Sequence, residues 1–135
     1  MSAGLQRPLA RVATGAWVAA SLLLSSPAAQ AEMIALQWPD GGRFERSLSI
    51  APGKFAELCG PLRPGQSIQW SFKADGAVNF NIHYHLGKDV RYPAKQDQVE
   101  SLQDTLVVDS AQDYCWMWVN KGALSTKLAV SLSRQ

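Results

Sequence analysis

Histidine is almost missing from this chain. Only His83 and His85 occur in 135 residues, two positions apart. A Ser/His/Asp triad or a Cys/His pair would have to recruit one of them. No Gly-x-Ser-x-Gly elbow, phosphate-binding loop or His-Glu-x-x-His helix is present. Apolar residues nowhere recur with a helical period, so no credible helix is predicted. Charge of one sign is lacking too. Arg7 and Arg11 account for the whole basic excess, and without them acidic and basic residues balance. A neutral domain with scattered charges has no electrostatic footprint for nucleic acid or an anionic membrane. These absences argue against an enzyme and favour a binding protein.

What is present begins with a leader. Arg7 and Arg11 precede an apolar run from Val12 to Leu24, Ser25-Ser26-Pro27 breaks it, and Ala29-Gln30-Ala31 forms a small-x-small cleavage site. This reads as a secretory signal peptide over residues 1–31, with Glu32 as the mature N-terminus. The run is too short to span a bilayer, so no membrane span is expected after cleavage. No cysteine follows the cleavage point, so a lipoprotein is not indicated. Residues 32–135 form one expected domain, in a secreted or periplasmic protein. Cys59 and Cys115 both lie in it, and an oxidising compartment makes a disulfide their default.

The organising stretch is Ala77–His85. Val78, Phe80, Ile82 and Tyr84 alternate with Asn79, Asn81, His83 and His85. Side chains of a strand point alternately to opposite faces, so this is a half-buried strand with both histidines on its polar side. Similar alternation runs through Phe44–Ile50, Ile68–Phe72, Tyr114–Asn120 and Leu124–Leu132. Lys54–Leu62, Val90–Tyr92 and Thr105–Val108 are further strands, and Lys95–Gln103 is a loop or an irregular strand. Ala74-Asp75-Gly76 reads as a tight turn, and Lys121-Gly122 as the close of a hairpin. About eight short strands between Gly, Pro and Asp turns predict an all-β antiparallel sandwich or barrel.

The segment Tyr114-Cys115-Trp116-Met117-Trp118-Val119-Asn120 resembles a GOLD-like domain, the β-sandwich of p24 cargo proteins. Those domains carry a tyrosine, an aromatic strand and then an asparagine at a hairpin. Gly65–Phe72, Val78–Ile82 and Val90-Arg91-Tyr92 look similar to their upstream pieces, so the resemblance spans roughly residues 55 to 132. It implies a GOLD-like antiparallel β-sandwich, usually a binding module. It also implies a bridge from an early strand to the tyrosine strand, with Cys59 in the early place. The later cysteine departs from the pattern. The family has it where this chain has Met117, and Cys115 lies two residues earlier on the same face. The family's transmembrane tail is absent, so a cargo-receptor role does not carry over.

On the polar face, His83 and His85 would sit roughly 6–7 Å apart and could converge on one metal ion. If the aromatics of Tyr114–Asn120 face the core, Met117 and Cys115 share a surface with the histidines. Sulfur with imidazole is a soft set suited to copper, whereas zinc has little use for methionine. His83, His85, Met117 and Cys115 are therefore candidate metal ligands, with Cys59 able to join if unbridged. A Cys59–Cys115 disulfide and a thiolate ligand exclude each other. A lone His-x-His is more often an exposed polar pair, and methionine more often packing. Trp70, Trp116 and Trp118 fit inward stripes and belong to the core, while Trp38 is either exposed or packed on an edge. A cupin is excluded. Gly76, His83, His85 and Asp89 approach its first motif, but the glycine spacing is off by one, the acid is Asp, and the second-motif histidine is missing. Two functions are expected: an exported non-catalytic module binding copper, or a protein-interaction sandwich with a structural disulfide and no metal.

Overall fold

The computed structural model describes Gly4 and residues 31–135, so the expected leader lies outside the described residues apart from Gly4 and Ala31. Seven strands follow in order: β1 (Glu32–Ala35), β2 (Arg43–Ile50), β3 (Phe55–Leu62), β4 (Ser67–Leu86), β5 (Asp89–Val107), β6 (Gln112–Val119) and β7 (Thr126–Arg134). The all-β expectation holds at that level. The finer one, an antiparallel sandwich of about eight short strands, does not. There is a single mixed sheet in the order β1-β3-β6-β4-β7-β2, with β5 attached to β4, nearly closed into a barrel. Its parallel pair is β1 on β3.

The strand count differs because two strands are very long. Ile68–Phe72 and Ala77–His85 are parts of one 20-residue strand, β4. The supposed turn at Ala74-Asp75-Gly76 is a bend within it. Ile68, Trp70, Phe72 and Ala74 point inward before the bend, and Val78, Phe80 and Ile82 after it, so the alternation is never lost. Strand β5 follows the bend by slipping register between Lys73 and Val78 and again beyond Val78. Bulges of this kind bend a ladder without ending it. One sits at Gln98, whose φ is 56° and whose backbone N–H donates to Asn79 Oδ1 at 3.1 Å. Lys95–Gln103, read as a loop or irregular strand, is thus the middle of β5.

The bend lets β4 serve both halves of the sheet. Ile68–Ala74 pair with β7, and Asn79–His83 pair with β6. Strands β6 and β7 therefore flank different halves of β4, and Lys121-Gly122 closes no hairpin between them. Asn120 fixes that connection instead. Its buried amide donates to the carbonyls of Ile50 and Leu124, each at 2.8 Å, and accepts from Gly122 N–H at 2.9 Å.

Inside, Trp70, Phe72, Phe80 and Trp118 form one cluster with ring centroids 4.9 to 5.8 Å apart where they touch. These tilted and edge-on contacts suit the aromatic quadrupole. Trp116 and Trp118 are fully buried, as the inward stripe predicts. Trp38 packs at the rim beneath Arg134, whose guanidinium lies 5.3 Å from its ring. Gly60 lets the chain leaving β1 pass close, because a Cβ there would lie 2.7 Å from Leu36 Cβ. The free edge of β5 is guarded by Pro93, by Lys95 and by Asp104, an acid opposite inward-facing Trp70. Charges, prolines and bulges on an edge discourage further strand pairing.

Trp118→Ala is expected to cost about 3–5 kcal/mol, the range for deleting a buried aromatic. Chemical denaturation checks this, and a loss under about 1 kcal/mol would show that the cluster is not the core's centre.

Candidate functional site

The outer face of β3, β6 and β4 carries the chemistry. Register places His83 opposite Cys115, and Cys115 opposite Cys59. One step along the strands, Asn81 faces Met117, and Met117 faces Glu57. The odd-numbered residues of β4 and β6 thus do share one surface, as alternation predicts.

The ligand set nevertheless comes apart. Cys59 and Cys115 are bridged, so neither supplies a thiolate. His83 is 6% exposed and has both ring nitrogens engaged. Nε2 lies 3.0 Å from Glu57 Oε1, and Nδ1 lies 2.8 Å from Asn81 Oδ1. His85 is exposed, its ring 5.4 Å from that of His83. Met117 stands opposite asparagine and glutamate, not between the histidines. The expected copper site of His83, His85, Met117 and Cys115 is therefore corrected to a structural cluster. Ligand atoms of Glu57, His83 and Cys115 do lie within 4.8 Å of one another, but the sulfur is spent in the bridge.

The His83 and Glu57 side chains keep only 8% and 12% of their exposure, unusual on the outside of a sheet. The disulfide lies beside them, and the Tyr92 ring of β5 stands 6.0 Å from the His83 ring. Burial pushes the His83 pKa below its ordinary 6.5, Glu57 opposes that shift, and His85 adds to it. Held neutral, the ring donates Nε2–H to the Glu57 carboxylate, and Nδ1 then takes the Asn81 amide N–H₂ after a half-turn of that amide. Protonated, it donates from both nitrogens to the two oxygens. Glu57, Asn81 and Tyr92 were not singled out in the sequence. Extending the alternation from Cys59 back to Glu57 would have placed the acid on this face. The sequence gives no signal for the approach of Tyr92, which depends on the β4–β5 register.

Beyond this cluster the β4–β5 hairpin runs on alone. The β4–β6 pairs end at His83–Cys115, while β4–β5 pairs continue to Leu86–Asp89. Gly87, with φ 62°, makes the turn. Three large apolar side chains are exposed here: Leu86 at 49%, Val90 at 36% and Tyr92 at 52%. Lys88, Arg91 and Lys95 stand among them; Arg91 reaches Asp89 at 3.6 Å, and Lys95 Nζ lies 5.4 Å from the Tyr92 ring centroid. A surface hollow of about 880 Å³ lies elsewhere, over β2, β7, β4 and β5, with Ser47, Ser71, Ser101 and Ser131 among its lining side chains.

No sequence-family model matches the chain, and no curated protein does. Solved structures do. PliG of Aeromonas hydrophila, a periplasmic lysozyme inhibitor of g-type lysozyme, superposes with a TM-score of 0.59 at 13% identity, covering 78% of this chain and 98% of that one. PliG of Salmonella Typhimurium gives 0.57 at 15% identity, covering 78% and 100%. The pre-peptidase C-terminal domain of a Bacillus anthracis collagenase gives 0.51 at 14%, covering 75% and 94%. At such identities the likeness concerns the fold. It overturns the GOLD-like assignment, because the Tyr-aromatic-Asn segment occurs here in a near-barrel of this other type. The expectation of a chain without catalysis agrees with these neighbours, two of which are inhibitors.

Two measurements check the cluster. Reducing the Cys59–Cys115 bridge, which spans 56 residues, should lower stability by about 4 kcal/mol in the chain-entropy account. An unchanged denaturation midpoint under reductant would contradict it. Because the folded pKa of His83 is lowered, the unfolded chain takes up the proton first as pH falls. Stability at this residue is complete above about pH 6.5 and declines as pH drops towards the folded pKa. His83→Gln should flatten that acid limb of the Tm–pH curve, and an identical slope in the variant would exclude His83 as its source.

Proposed function

We propose that the protein is an exported, non-catalytic inhibitor that acts by binding another protein, a lysozyme of the g-type or a similar cell-wall glycosidase. The carrying observation is the fold. The near-barrel of residues 31–135 corresponds to almost the whole of two proteins that are periplasmic inhibitors of g-type lysozyme. The disulfide fits an oxidising compartment, and together with the leader pattern it supports the periplasm as the site of action. A fold can host many functions, so the assignment rests on the binding test and not on architecture. Engaging a folded enzyme needs a rigid surface, and the bridged, hydrogen-bonded sheet face offers one.

The test is inhibition. Mature protein titrated into a g-type lysozyme on a peptidoglycan suspension should abolish clearing near one equivalent, with a c-type lysozyme much less affected. Absence of inhibition, together with no heat of binding by calorimetry, would defeat the proposal.

A further inference from the structure

From the geometry we infer that the free end of the β4–β5 hairpin, His85 to Tyr92, is the part that enters the partner's substrate cleft. This rests on the inhibitor reading and names the surface it uses. The first support is shape. Past the His83–Cys115 pair the hairpin's backbone pairs only with itself, as a short finger of three residue pairs ending at Leu86–Asp89, while Tyr84 at its root packs on Tyr114. The second is its root. The finger leaves the sheet where the Cys59–Cys115 bridge, the Glu57–His83 pair and the Asn81 contact converge. A finger clamped at its base gives up little conformational entropy on docking.

The third support is what the finger displays. Leu86, Val90 and Tyr92 are half of the large apolar side chains that are exposed among the described residues. Exposed aromatic and apolar side chains at the centre of a contact dominate its energy. Between them stand Lys88, Arg91 and Lys95, against one acid, Asp89, which Arg91 already engages at 3.6 Å. His85 stands on the same side as His83, its ring 5.4 Å away. Asp113, two residues before Cys115, is the acid bordering this face on β6. Glycosidase clefts carry a pair of carboxylates flanking the scissile bond. A finger bearing lysine and arginine beside a tyrosine complements such a cleft, with the cations meeting the carboxylates and Tyr92 occupying a sugar subsite. The opposite end of the barrel offers a rival, Leu124, which is 80% exposed on the loop that Asn120 pins.

Three variants separate the two ends: Leu86→Ser and Lys88→Glu on the finger, and Leu124→Glu on the far loop. Each alters an exposed side chain, and matching Tm values confirm that folding is intact. Inhibition constants against the g-type lysozyme should rise about tenfold or more for both finger variants and stay within about twofold for Leu124→Glu. Added salt should weaken the wild type more than Lys88→Glu. Wild-type inhibition with unaffected finger variants, or with loss confined to Leu124→Glu, overturns the finger while leaving the inhibitor reading intact. If the wild type neither inhibits nor binds, both fall.

Discussion

The continuity of β4 across its bend is the constraint on which the molecule depends. This strand contributes Ile68, Trp70, Phe72, Ala74, Val78, Phe80 and Ile82 to one interior while bonding to β5, β6 and β7. Backbone donors and acceptors in a buried strand must be paired, so a true turn at Ala74-Asp75-Gly76 would leave two half-sheets with open edges. The bend interrupts the ladders only over Asp75–Ala77 and turns one half of the sheet towards the other. Asp75 helps at the corner by accepting from Lys127 N–H at 2.7 Å. The cluster of Trp70, Phe72, Phe80 and Trp118 then fills the space that the bend encloses.

Outside the sheet, polar groups are buried where the fold is most strongly cross-linked. A histidine and a glutamate largely removed from water are costly unless their hydrogen-bonding capacity is met. Here Asn81 takes the second nitrogen of His83, and the adjacent disulfide holds β3 and β6 at a fixed spacing. The same residue types that suggest a metal site in the sequence thus serve to fix one sheet face. The register sets Cys115 beside His83, while the bridge to Cys59 and the glutamate on Nε2 become visible only once β3 is paired with β6.

Alternation made much of this legible. The inward stripes of β2, β4, β6 and β7 can be read directly, as can the common face of His83, Cys115 and Met117. Continuity was the hard part. A Gly or an Asp-Gly pair marks turns and bends alike, so Asp75-Gly76 looks like an end although backbone pairing resumes beyond it. Strand β5 was hidden for a related reason. Most of its residues are exposed, with only Ala94, Val99, Leu102 and Leu106 turned to the core, and slipped register blurs their period. The parallel strand β1 lies outside those readings, since four residues carry no directional signal. The Tyr-aromatic-Asn segment suggested the wrong family because tyrosine, tryptophan and a loop asparagine answer demands common to many β-proteins, namely filling an interior and satisfying a connection's carbonyls.

The hairpin beyond the last β4–β6 pair is anchored at its root by Tyr84 packed on Tyr114, and its tip is paired only within its own ladder. Its tip can therefore accumulate changes without disturbing how the rest of the chain folds. Substitutions there would redraw what the tip presents, codon by codon, on an unaltered scaffold.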